Sequence, residues 1–231
     1  MSAPRPADRS NRQRRTRSRR LLVYSLLVAI GTGGVGMMVG GLSPWGGPAP
    51  QPAAVAAPDR IPPVPTLAPG QTPPVTLERA RPTHIDIADL DVHAEVSEVG
   101  LETDGSIEVP DLSSPDLTGW FNLGPSPGEV GPAAIVGHVD SRRSGAAVFY
   151  PLGGTAAGTH IEVTRSDGTV AVFTVDIVES YDKESFPYDA VFADTGYPTL
   201  RLITCGGSFD DRRGSYSHNI VVYATLTTVV K

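Results

Sequence analysis

The chain has 231 residues and a formal net charge of −6. That charge is unevenly spread: residues 1–20 hold eight arginines against the single acid Asp8, while the remainder holds 11 basic and 24 acidic side chains. An acidic body is not the footprint of a nucleic-acid-binding domain. A single cysteine excludes an intrachain disulfide or a cysteine-rich zinc site.

In chain order, residues 1–20 show no apolar periodicity and are expected to form a disordered basic tail. Leu21 to Leu42 follows without a charged side chain. As a helix it would reach about 33 Å, enough to cross a hydrocarbon core of about 30 Å. Its six glycines weaken a water-soluble helix but are common where membrane helices pack. The arginines ahead of it predict a cytoplasmic N-terminus and an extracellular C-terminal part. A cleaved export signal competes with this single-pass anchor. Ser18-Arg19-Arg20-Leu21-Leu22 resembles a twin-arginine signal, and Ala54-Val55-Ala56 offers a cleavage site. The length of the apolar run favours the anchor.

Residues 43–82 hold 12 of the 22 prolines. Proline fixes φ and lacks a donor, so this Pro/Gly-rich linker is expected to be extended and to hold a functional head away from the membrane.

Apolar alternation begins at Thr83 and continues to Lys231. His84 to Leu90 and Ala94 to Leu101 suggest strands, with a turn at Asp104-Gly105 into Ser106 to Val109. Ala133 to His138 suggests a buried strand. Short helical turns are expected over Ala146–Leu152 and Tyr188–Ala193. His160 to Thr164, the turn Ser166-Asp167-Gly168 and Val170 to Ser180 form a second hairpin. Leu200 to Cys205 alternates as a strand that Gly206 and Gly207 are expected to stop, and Asn219 to Thr227 is the last strand. Strands dominate, with no long amphipathic helix. The fold class is all-β with short helices, a barrel or a sandwich.

Cys205 sits at a strand end with two glycines behind it. A core residue and a nucleophile are both open to such a thiol. An exported chain favours use, because an unpaired thiol is a liability in an oxidising compartment. The glycines remove side chains that would block a substrate and offer backbone donors to an oxyanion. A cysteine nucleophile needs a proton partner, for which histidine is suited. Of His84, His93, His138, His160 and His218, the best placed is His138, at the end of an apolar strand before Val139-Asp140-Ser141. His218 is the second candidate. Arg212 and Arg213, in the loop after the cysteine, are candidate cations for the oxyanion.

Gly137-His138-Val139-Asp140-Ser141, Val148-Phe149-Tyr150 with Leu152, Leu202-Ile203-Thr204-Cys205-Gly206-Gly207 and the closing Tyr216, Asn219, Val222, Tyr223 and Ala224 resemble the sortases, and most the actinobacterial class F group. Gly119-Trp120 and Tyr181 to Pro187 belong to the same likeness, which spans 83–231.

The resemblance implies a β-barrel of seven or eight strands behind a transmembrane helix and a Pro-rich linker. It implies transpeptidation at a C-terminal LPXTG-like sorting signal on secreted proteins, with a peptidoglycan precursor amine as acceptor and no metal or organic cofactor. Cys205 would be the acyl-thioester nucleophile, His138 the general acid/base, and Thr204 a residue of the substrate groove. The family's arginine lies on the strand after the cysteine loop, where this chain has Asn219. Arg213, or Arg212 in its place, is therefore expected to serve the oxyanion. An L,D-transpeptidase is the enzymatic rival, though its Ser-x-Gly-Cys signature is absent. A non-catalytic wall-binding domain is the other.

Overall fold

The computed structural model describes residues 75–231. The expected basic tail, anchor and most of the linker lie outside the described residues. Among those described, no helix is long and apolar enough to cross a membrane.

Ten strands form: β1 (Pro82–Ile87), β2 (Val92–Val99), β3 (Thr118–Phe121), β4 (Gly131–Val136), β5 (Asp140–Ser141), β6 (Gly145–Ala146), β7 (His160–Arg165), β8 (Val170–Asp182), β9 (Pro198–Asp210) and β10 (Ser215–Val230). Eight close a barrel in the order β1-β2-β3-β4-β9-β10-β8-β7, with β1 pairing back onto β7. The pairs β2–β3 and β4–β9 are parallel, and every other barrel pair is antiparallel. β5 and β6 make a separate small hairpin. One α-helical turn, α1 (Tyr188–Val191), and short 3-10 turns at 88–90, 150–154 and 183–185 complete the chain.

The strand patterns follow from what each face meets. β7 alternates exposed and buried residues because its outer face is wet. β4 is buried along its whole length, which explains its unbroken apolar run. The barrel interior is packed by Ile85, Ile135, Phe173, Leu200, Leu202 and Val222 among others, most of them fully buried. A second core lies on the outside of the wall. There Val136, Tyr181, Ile203, Val221 and Tyr223 meet Ile107, Phe186 and Val191 from the segments laid over them.

Four details differ from the sequence expectation. The cysteine strand does not stop at Gly206-Gly207 but pairs on to Asp210, opposite Ser215. Gly207 takes φ +75°, which glycine alone adopts without strain, and the ladder shifts register between Tyr216 and His218 to absorb it. A Cβ at Gly207 would come within 2.5 Å of His218 Nδ1 and Ser217 Oγ. The hairpin expected at Asp104-Gly105 reduces to the single bridge Leu101–Ile107. The helical turn expected over 146–152 forms at Tyr150–Gly154 instead. Finally, the last residues of the expected linker are docked. Leu77 N–H donates to Gly128 O at 2.8 Å, and Arg79 Nη1 donates to Gly124 O at 2.9 Å.

Candidate active site

Three adjacent strands place the thiol. In the register of β8, β10 and β9, Tyr181 lies opposite Asn219, and Asn219 opposite Cys205. Residues directly opposite one another share a face. All three therefore point outward with Ile203 and Tyr223, away from the barrel interior.

His138 reaches the same face from β4. Val136 pairs in parallel with Ile203, and His138, just past the end of β4, and Cys205, on β9, each lie two residues beyond that pair. Gly137 between them must lack a side chain, since a Cβ there would stand 2.6 Å from the Phe149 ring. His138 is buried and its Nε2 lies 2.6 Å from Pro110 O. A carbonyl oxygen only accepts, so Nε2 carries the hydrogen of the neutral ring. Nδ1 is left as the nitrogen that exchanges a proton, oriented by the backbone of a covering loop.

Thr204 does not line a groove. It lies opposite Ile220 on the inward-facing row, is buried, and its Oγ1 donates to Gly137 O at 2.8 Å. The alternation that turns Cys205 outward turns its neighbour inward, so Thr204 fastens the residue before His138 to the residue before Cys205.

The hairpin β5–β6 clamps the histidine side onto the cysteine side. Tyr216 OH donates to Asp140, Arg142 Nη2 donates to Asp211 Oδ1 at 3.1 Å, and the Arg142 guanidinium stacks 5.0 Å from the Phe209 ring centroid.

One group near the thiol escaped the sequence reading. Lys183 Nζ donates to Cys205 Sγ at 3.4 Å and to Ser215 Oγ at 3.2 Å. Lys183 opens the 3-10 turn after β8, where Asp182 accepts the Glu184 N–H at 2.7 Å and holds the turn. A compositional signal was present: the chain has two lysines, Lys183 and the terminal Lys231, and uses arginine elsewhere.

The arginines sit farther out. Arg212 and Arg213 occupy the exposed turn between β9 and β10. Arg213 pairs with Glu184 Oε1 at 2.6 Å and with Asp210 Oδ2 at 3.8 Å. Of the other histidines, His84 and His160 are exposed. His93 pairs with Asp86 at 2.7 Å. His218 bonds Ser217 Oγ at 2.7 Å and faces the other side of β10 from Asn219.

Burial pushes the Cys205 thiol up from its ordinary value; the Lys183 charge and hydrogen bond pull it back, and Asp140 adds a smaller push upward. The resting group at neutral pH is thus a thiol. Two of its neighbours, Lys183 and Asn219, line a mainly apolar cleft with Ile107, Val136, Phe186 and Tyr188. Asn219 Oδ1 is buried there and makes no hydrogen bond among the described residues. Among the same residues, no group of three His, Cys, Asp or Glu side chains is arranged to hold a metal ion.

A thiol, a histidine held by Pro110 O and a cleft wall thus lie at one end of neighbouring strands. A family model described as "Sortase domain" matches residues 85–227. The chain belongs to the sortase family. Its fold is similar to that of sortase A from Corynebacterium diphtheriae, at 20% identity over 65% of this chain and 62% of that one, with a TM-score of 0.49. The chain thus spans less than two thirds of that structure. It is also similar to Listeria monocytogenes sortase A, at 17% identity over 66% and 90% of the two chains with a TM-score of 0.48. For Streptococcus agalactiae sortase C1 the values are 15%, 68%, 72% and 0.49. No curated protein sequence matches this sortase.

Proposed function

We propose that this sortase is a cysteine transpeptidase acting on secreted proteins with a C-terminal LPXTG-like sorting signal. The observation that carries the reading is the pairing of Cys205 with His138. Both stand two residues past one parallel register pair, and Lys183, Ile203 and Asn219 around Cys205 line an apolar cleft.

The Cys205 proton passes to His138 Nδ1 as Sγ attacks the Thr carbonyl carbon. The Thr–Gly C–N bond breaks, and His138 returns the proton to the departing amine. A peptidoglycan precursor amine then attacks the thioester, giving up a proton to His138 as the C–S bond breaks. Water in place of the amine makes the same site a thiol peptidase. Arg213, or Arg212 in its place, is assigned to the oxyanion; the Arg213–Glu184 pair ties the hairpin tip to the segment that carries Lys183.

The Leu-Ile-Thr-Cys-Gly-Gly run supports placement with the class F sortases. The apolar run 21–42 behind eight arginines supports a single-pass membrane anchor with the catalytic domain extracellular, where exported substrates emerge.

The test is cleavage of a fluorogenic LPXTG-type peptide. Cys205→Ala and His138→Ala are each expected to lower turnover by at least about a thousandfold while keeping the native circular-dichroism spectrum. Turnover that survives in Cys205→Ala rejects the mechanism.

A further inference from the structure

A half-buried thiol that is uncharged at rest needs something nearby to favour its anion. His138 takes the proton and is charged only while it holds it; a fixed cation beside the sulfur would add to that. The side chains acting electrostatically on Cys205 are Lys183 and Asp140, and they act in opposite directions. Asp140 accepts the hydrogen bond of Tyr216, and its charge disfavours a thiolate. Lys183 is the cation that touches the sulfur, at 3.4 Å.

Its setting suits that task. The ammonium is held from two sides, by Cys205 Sγ and Ser215 Oγ, and lies on the wall of the cleft. The neighbouring carboxylate, Glu184, is engaged by Arg213 instead. Arginine is the cation at every other position before the chain end. A guanidinium is a broad planar fork, whereas an ammonium is a compact charge that fits against a single sulfur. Asn219, opposite Cys205 in the ladder, lines the same cleft, and its buried Oδ1 has no hydrogen-bond partner among the described residues.

We propose that Lys183 is a catalytic residue of this site: its ammonium stabilises the Cys205 thiolate at both points in the reaction where that thiolate exists. The first is the transfer of the thiol proton to His138 before attack. The second is the release of Sγ when the acceptor amine breaks the C–S bond, after which the thiolate regains a proton from His138. The role in turnover rests on the transpeptidase reading above; the pairing of ammonium and thiolate does not.

The chain has one cysteine, so alkylation of the full-length protein by iodoacetamide reports Cys205 alone. In Lys183→Met the midpoint of the alkylation pH profile is expected to rise by about one unit or more, the size of effect an adjacent opposite charge produces. Peptide turnover at neutral pH is expected to fall at least about tenfold. Lys183→Arg is expected to keep most of the lower midpoint. Should Lys183→Met fail to fold, Lys183→Gln removes the charge while keeping a donor to Ser215, and is expected to move the midpoint in the same direction.

An unmoved midpoint in a folded, uncharged variant overturns the proposal, even if the wild type cleaves sorting peptides normally. A raised midpoint supports the ammonium–thiolate pairing even if no sorting peptide is cleaved; that failure counts against the transpeptidase reading alone.

Discussion

β9 has two faces with opposite characters. Inward, Leu200 and Leu202 are fully buried, and Thr204 spends its hydroxyl on Gly137 O. Outward, Arg201, Ile203 and Cys205 meet the covering segments. Arg201 is sealed by the Val191 carbonyl at 3.0 Å and by the Tyr223 ring at 4.4 Å, and Cys205 meets Lys183 and Asn219, which line a cleft. The inward face has one job, to fill space at high density. The outward face meets groups whose needs are only partly met: a half-buried thiol, the Lys183 ammonium and the unpaired Asn219 oxygen. One strand thereby separates stability from chemistry by the two-residue period of its side chains.

Neighbouring residues break this comparison most directly. Leu202→Ala, in the interior, is expected to cost about 3–5 kcal/mol, because the closed barrel cannot collapse onto the hole. Urea unfolding measures it, as a lower midpoint with an unchanged slope. Ile203→Ala is expected to cost about 2 kcal/mol, at the low end for such truncations, because its side borders the open cleft. It is expected to weaken peptide binding as well, seen as a raised KM. Equal stability losses for the two would erase the distinction between faces.

A third expectation is a pH effect confined to the outer core. Burial pushes the Tyr188 hydroxyl up to about 12 from its ordinary 10.0. Above pH 10 the unfolded chain has shed this proton while the folded chain still holds it. The folded state binds more protons, so stability falls as pH rises from about 10 to about 12. Tyr188→Phe is expected to flatten that part of the stability profile; a profile identical to wild type would place the alkaline loss elsewhere.

The smallest effect belongs to the rim. Arg213→Ala is expected to lower kcat by about tenfold if oxyanion stabilisation is shared with backbone donors, while leaving stability and the Cys205 alkylation midpoint unmoved. An unchanged kcat would remove Arg213 from the site and leave Arg212 to be tested in the same way.

The barrel strands were legible because alternation and turn residues are local. β7 and β8 could be placed from His160 to Ser180 with Asp167-Gly168 between them. His138 and Cys205 stood out for a related reason, since each follows an apolar run. Which strands distant in sequence pair with one another was not legible. Lys183 reaches Cys205 only through the register of β8 on β10 and β10 on β9, a relation among residues 22 positions apart that no local pattern encodes. The inward turn of Thr204 was equally hidden, because one step along a strand reverses the side chain and its partner, Gly137 O, lies 67 residues away. Gly207 looked like a stop, yet an antiparallel partner can carry a ladder past a glycine by taking up the bulge.

The docked segment before β1 also has a mechanical meaning. Leu77 is pinned to Gly128, Arg79 to Gly124 and Glu129, and the Glu78 carbonyl to the buried Arg165. Any pull transmitted from the preceding chain is met first by these links, across the Pro125–Gly131 loop, rather than by the ladder of β1 with β2 and β7. They form a strain relief: the seam that closes the barrel is loaded only after Leu77 and Arg79 have been torn free.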